Sequence, residues 1–272
     1  MKRLNALAAN FLLIAVLAAP LVSRAQEEPQ LTVEQQKEFL LNAKLIKYKE
    51  TSKGITAPKR CTMSDGRITH DAHFQSINER KPFKELGAGK TEINFVDSYL
   101  YNLAAYELAQ LVGLADMMPV TVERKLFGQT GALAWWLPVQ MDEVQRTQKK
   151  IAVPDPNAWN AQMHKLRVFG QLVYDSDRNL GNVLIDKDWQ IYMIDFTRAF
   201  RLYHDLQNRK DLVKCSRELL DKLRKLDEAE LTARTKKYLT RPEIQGVMAR
   251  RDKIVAHFEK LIAEKGEAQI LY

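Results

Sequence analysis

The sequence predicts an α+β chain of two lobes, a small antiparallel-sheet lobe followed by a larger helical one. Three observations carry that reading. Between residues 45 and 140, short β-rich runs alternate with turn residues around one amphipathic helix. From Trp159 onward, apolar residues recur every three or four positions through several long runs. Between the two lies MDEVQRTQKKIAVPDPNAWN, a charged passage with two prolines and the composition of a link. The expected boundaries are 1–25 for a signal peptide, 26–140 for the first lobe, 141–158 for the linker and 159–272 for the helical lobe.

The chain has 272 residues, 46% of them hydrophobic, and a mean hydropathy of −0.36, which is enough to bury a sizeable core and excludes a disordered chain. Lys and Arg exceed Asp and Glu by 42 − 34 = 8. A surplus of that size fits either a solvated, mildly basic surface or an anionic partner such as a nucleotide; no nucleic-acid partner is expected. Lys2 and Arg3 followed by an uncharged run from Leu4 to Ser23, then Ser23-Arg24-Ala25, have the order of an export signal cleaved between Ala25 and Gln26. The expectation is an exported protein, periplasmic or secreted, with no stable membrane span after cleavage and an N-terminal membrane anchor if the signal stays. Cys61 and Cys215 are the only cysteines, and the sequence leaves open whether they bridge or stay as two buried thiols. With no CxxC and no HExxH, a zinc site is not expected.

In order, the sequence predicts a short helix over 34–43 and then two or three antiparallel strands. A turn at Ser64-Asp65-Gly66 and an alternating run at 72–77 mark one hairpin. Gly54 is the one glycine placed to cover a phosphate between the first strands. NERKPFKELGAGKTE reads as a flexible connection, because Gly89-Lys90-Thr91 lacks the upstream glycine of a P-loop and has Lys84 there instead. Residues 97–113 read as a helix capped by Asp97 and closed by Gly113. Glu107 shares its apolar stripe and therefore wants a cation. Strands over MMPVTVERKL and GALAWWLPV follow, turned at 127–131 and ended by Pro138.

In the second half a helix beginning at Trp159 leads to the polar loop Asp175-Ser176-Asp177-Arg178-Asn179-Leu180-Gly181-Asn182. The strand Val183-Leu184-Ile185 turns at 186–188 and returns as Ile191 to Ile194 before Asp195. This hairpin brings Asn182 and Asp195 to one end, where their oxygens can share a hard cation. Two further helical runs, 217–239 and 242–266, complete the core, and the tail 268–272 reads as a last strand of no fixed place.

Asp177-Arg178-x-x-x-Asn182 followed by Ile194-Asp195-Phe196 resembles the catalytic and metal loops of atypical kinases: the phosphatidylinositol 3- and 4-kinases, the toxin kinase HipA and the secreted kinases of the Golgi. The resemblance covers about residues 45–225. It implies a two-lobed protein-kinase-like fold whose first lobe binds nucleotide. It also implies ATP with Mg2+, or Mn2+ in its place, as cofactors, and transfer of phosphate to a protein or small-molecule hydroxyl. Asp177 then takes the catalytic aspartate's place, and Asn182 and Asp195 become metal ligands. Thr197 stands where such motifs often carry glycine. Two departures are visible: Gln75 occupies the strand position of the phosphate-binding lysine, and Asn102 the helix position of its glutamate, with Glu107 a second candidate. Arg178 reads as a support that pairs a nearby carboxylate. The alternative reading is an exported pseudokinase-like module that binds nucleotide or metal without transfer; transfer of the nucleotidyl group is a third.

Overall fold

Thr32 begins the folded chain with a reciprocal cap: its hydroxyl accepts from the Gln35 N–H at 3.2 Å, and the Gln35 side chain accepts from the Thr32 N–H at 2.9 Å. The helix it starts, α1, spans Val33–Asn42 and buries Phe39 and Leu40. The computed structural model describes residues 31–51, 58–85, 87, 89 and 91–272. The expected signal segment, Gly54 and Lys90 lie outside these residues, and all that follows concerns the unit Thr32–Tyr272.

The first lobe is built on β1 (Lys44–Glu50), β2 (Lys59–Ser64), β3 (Thr69–Gln75), β4 (Asn78–Glu85) and β5 (Thr91–Ser98), then helix α2 (Tyr99–Leu111), β6 (Thr121–Leu126) and β7 (Gln129–Trp135). Five strands form one antiparallel sheet in the order β1-β2-β3-β7-β6, while β4 and β5 pair separately. The turn from β6 to β7 needs only Phe127 and Gly128, both at positive φ, the geometry whose twist suits a tight hairpin. At Gly131 a Cβ would lie 2.5 Å from the Gln75 carbonyl and 2.7 Å from the Phe74 ring, so only glycine lets β7 press against β3 there. Helix α2 lies against β6 and β7, and Gly113, at φ +74°, follows its end as the sequence predicts.

Two expectations are corrected here. Residues 78–92 are not a connection but most of a hairpin, paired from Asn78 with Ser98 to Glu85 with Thr91. Its side chains alternate no apolar face, since Phe83 is 65% and Ile93 69% exposed. The backbone ladder carries it, helped by the Lys84–Glu79 pair at 2.7 Å and by Lys84 lying over Phe95. The second correction concerns Asp97, which lies inside β5. The cap of α2 is Ser98, whose hydroxyl accepts from the Leu100 N–H at 3.3 Å.

The second lobe opens with β8 (Val139–Asp142) and α3 (Glu143–Gln148), then α4 (Pro156–Val173), β9 (Val183–Asp186) and β10 (Ile191–Met193). The three strands form a sheet in the order β10-β9-β8. Helix α4 lies against β10, and the chain continues with α5 (Arg217–Lys225), α6 (Glu228–Thr235), α7 (Arg241–Lys265), which packs on α4, and α8 (Glu267–Ile270). The run 217–239 is thus two helices. Asp227 interrupts it because its carboxylate accepts from the Glu230 N–H at 3.0 Å and starts α6 afresh. The tail is a short helix with one parallel bridge from Leu271 to Cys215, not a strand. Cys61 and Cys215 are both free and buried, and burial pushes their thiols up to about 11 and about 12, so neither is a thiolate at neutral pH. No helix among the described residues is long and apolar enough to cross a membrane.

Candidate active site

The loop that holds the candidate residues is shaped by its own short polar side chains. Helix α4 ends at Tyr174, at φ +48°, and the Asp175 N–H returns to the Gly170 carbonyl at 3.0 Å. Asp175 is thereby buried, and one of its oxygens accepts from the Asp177 N–H at 3.1 Å. Its other oxygen pairs with Arg178. That guanidinium also donates to the carbonyls of Asn182 at 3.0 Å and Ile194 at 2.8 Å, and lies 4.4 Å from the centre of the Phe196 ring. Arg178 therefore staples the loop to the far end of β10. The Asn179 side chain accepts from the Gly181 N–H at 2.9 Å and sets the turn that delivers Asn182.

Asp195 follows β10 in the left-handed region, at φ +57°, a conformation that costs a non-glycine residue about 1–2 kcal/mol. The strain is held by neighbours on both sides. Thr197 donates its hydroxyl to Asp195 at 3.1 Å, and the Thr197 carbonyl accepts from the Ser98 N–H at 2.9 Å. The Phe196 N–H donates to Asn102 Oδ1 at 2.7 Å, while Asn102 Nδ2 donates to Gln75 Oε1 at 2.8 Å. The first lobe thus holds the Asp195 loop through an unbroken amide chain.

These residues share a cleft of about 550 Å³. Asp177, Asn182, Asp195, Gln75 and Asn102 all line it, beside an apolar wall that includes Met118, Leu137, Leu184 and Met193. Arg178 and Glu107 do not. Arg178 works from behind the loop, and Glu107 pairs with Arg234 of α6, at 2.6 Å, instead of facing the strand position of Gln75. The cation that Glu107 needs comes from the second lobe.

The overall arrangement has counterparts among solved structures. Neither a family model nor any curated protein matches the sequence. The hydra Fam20 structure with sugar superposes with a TM-score of 0.65 at 13% identity, over 88% of this chain and 92% of that one. The Helicobacter pylori proinflammatory kinase CtkA superposes with a TM-score of 0.53 at 11% identity, over 82% of this chain and 98% of that one. The fold is kinase-like, an antiparallel-sheet lobe joined to a helical one. At these identities the likeness concerns the fold, and the chemistry of this kinase-like cleft has to be argued from its own residues.

Two acidic cleft residues were not identified from the sequence as site residues. Asp97 lines the cleft with one carboxylate oxygen buried and without a hydrogen-bond partner. Had 91–98 been read as a strand, period two would have set Asp97 on the inward face with Phe95, which is 1% exposed. Asp142 also lines the cleft, capping α3. Burial pushes the Asp195 carboxyl up despite the Thr197 hydrogen bond and Arg178, and the nearby charges of Asp97 and Asp175 add to the rise. A cation would relieve that crowding of carboxylates.

His73, on the cleft side of β3, has its imidazole pushed down by burial from 6.5 to about 4. The unfolded chain takes the proton first, so this stability is complete above pH 6.5 and is lost as pH falls toward 4. Between pH 7 and pH 5 the wild type should lose about 2 kcal/mol that His73→Gln retains. Urea unfolding of both proteins at the two pH values checks this; equal losses would sink it.

Proposed function

We propose that the protein is a metal-dependent phosphotransferase that uses ATP and acts on a protein or small-molecule hydroxyl outside the cytoplasm. The observation that supports it best is the meeting of Asp177, Asn182 and Asp195 in one cleft of a kinase-like fold, with the Asp195 loop tied to both lobes.

The residues suit magnesium in particular. Among the described residues there is no group of three or more His, Cys, Asp or Glu arranged to hold a metal unaided. What the cleft offers beside Asp177 is a set of oxygens, from Asp195, Asn182 and Asp97, one of whose carboxylate oxygens has no hydrogen-bond partner. A small hard cation that keeps waters and phosphate oxygens among its partners fits such a set, and manganese is the near substitute. When bound, the metal neutralises charge on the transferring phosphate. Asp177 is free to accept the acceptor hydroxyl's proton, since its carboxylate has no partner among the described residues and is exposed. Met118, Leu137, Leu184 and Met193 supply the apolar faces for a base.

One observation favours a second reading, a nucleotide- or metal-binding module without transfer. Gln75 and Asn102 satisfy each other as neutral amides, so the strand offers no charge to a phosphate. Calorimetric titration with ATP, with and without Mg2+, tests what the two readings share, and the expected result is binding that requires the metal. Failure of ATP, ADP and GTP to bind under either condition would overturn the first reading and the nucleotide-binding form of the second. With binding in hand, release of γ-labelled phosphate to an acceptor selects the first reading and its lack the second.

A further inference from the structure

The cleft is lined by Asp97, Asp142, Asp177 and Asp195, and among its described lining residues Arg198 is the one Lys or Arg. Its side chain is 16% exposed and lies over Phe95, 4.6 Å from the ring centre. It pairs with Glu92, which is equally buried. Glu92 is shared: Arg201, 6% exposed, stands 2.9 Å from its other oxygen, close enough for ionic attraction. Two guanidiniums against one carboxylate leave this half-buried group with a net charge of +1, which an anion in the cleft could offset. Arg198 Nε, moreover, is buried and makes no hydrogen bond. The backbone around it is fixed, because the Ser176 hydroxyl donates to the Arg198 carbonyl at 2.8 Å. Arg198 is thus a pre-positioned donor with spare charge, three residues after Asp195 and on the wall of an otherwise acidic cleft.

We infer that Arg198 is the polyphosphate-binding residue of this cleft, gripping the phosphates that Gln75 has no charge to hold. The inference rests on the nucleotide reading above and names the group that makes it workable in a site without a strand lysine. A guanidinium suits the task, since its planar fork bonds two phosphate oxygens at once. Glu92 and Phe95 are positioning residues in this arrangement: one orients the fork and the other supports its face. The same grip would also serve an anionic group on the acceptor, so the ligands of the test must separate the two sources.

The test uses the folded chain with Mg2+ and three ligands in calorimetric titrations: ATP, inorganic tripolyphosphate and adenosine. Arg198→Ala should weaken ATP and tripolyphosphate at least tenfold and leave adenosine unchanged, while Arg198→Lys should recover part of the loss. Arg201 still pairs Glu92 in both variants, and circular dichroism with a melting curve checks that each is folded. Should Arg198→Ala not fold, Arg198→Lys carries the comparison, because a point charge without the fork should still cost severalfold in ATP affinity. Unchanged ATP and tripolyphosphate binding in folded variants would overturn the role of Arg198 and leave the nucleotide reading standing. An equal loss for adenosine would also overturn it, by showing a merely structural effect. Tripolyphosphate binding that depends on Arg198, in a protein that binds no nucleotide, would uphold Arg198 as an anion site and point to the acceptor as the source. If the wild type binds none of the three, both conclusions fall together.

Discussion

Asp177→Asn is expected to lower phosphoryl transfer about 10³-fold, the scale of a lost general base, while ATP affinity changes by less than about threefold. The separation follows from where the residue sits. Its backbone is held by Asp175, and its carboxylate carries no fold contact among the described residues, so the neutral amide should fit without cost. In the proposed function, nucleotide and metal keep other handles, since Asp195, Asn182 and Arg198 line the same cleft. Single-turnover transfer measured beside calorimetric ATP binding decides the matter. Transfer within tenfold of the wild type would remove Asp177 from the chemistry; a large loss of affinity would make it a metal ligand instead.

Arg178→Met should cost about 3–5 kcal/mol of folding stability, because it strands the Asp175 carboxylate in the interior. That carboxylate is 0% exposed, and Arg178 is the cation that pairs with it. The same change frees the carbonyls of Asn182 and Ile194, so the loop and the end of β10 should loosen together. Urea unfolding measures the loss. The double variant Asp175→Asn with Arg178→Met should regain a substantial part of it, since no charge is then left unpaired. A single-variant loss under about 1 kcal/mol would mean that water reaches Asp175 and that the staple is weak.

What the sequence disclosed, and what it concealed, divides along physical lines. The loop from Asp175 to Asn182 and the hairpin after it were legible because Asp, Asn and Gly set their turns through bonds to near neighbours. The helix around Leu103 and Leu108 was legible because its buried face repeats at the helical period. The hairpin of β4 and β5 was not, since a ribbon exposed on much of both faces carries no apolar alternation. Losing it hid Asp97, whose inward direction depends on being in a strand. The break at Asp227 was masked by leucines that continue the period across two helices. Arg234 as the partner of Glu107 lies 127 residues away, and no local pattern points to it.

The amide chain from Gln75 through Asn102 to the Phe196 N–H also constrains mutational history. Asn102 spends its oxygen on Phe196 and its nitrogen on Gln75. A lysine at 75 alone would set two donors against each other, and turning the Asn102 amide would only move the clash to the Phe196 N–H. A glutamate at 102 alone avoids that clash of donors but sets a carboxylate without a cation beside Asp195, whose carboxyl is already pushed up by burial and by its acidic neighbours. A lysine–glutamate pair at these positions is therefore gained or lost most smoothly when both residues change together.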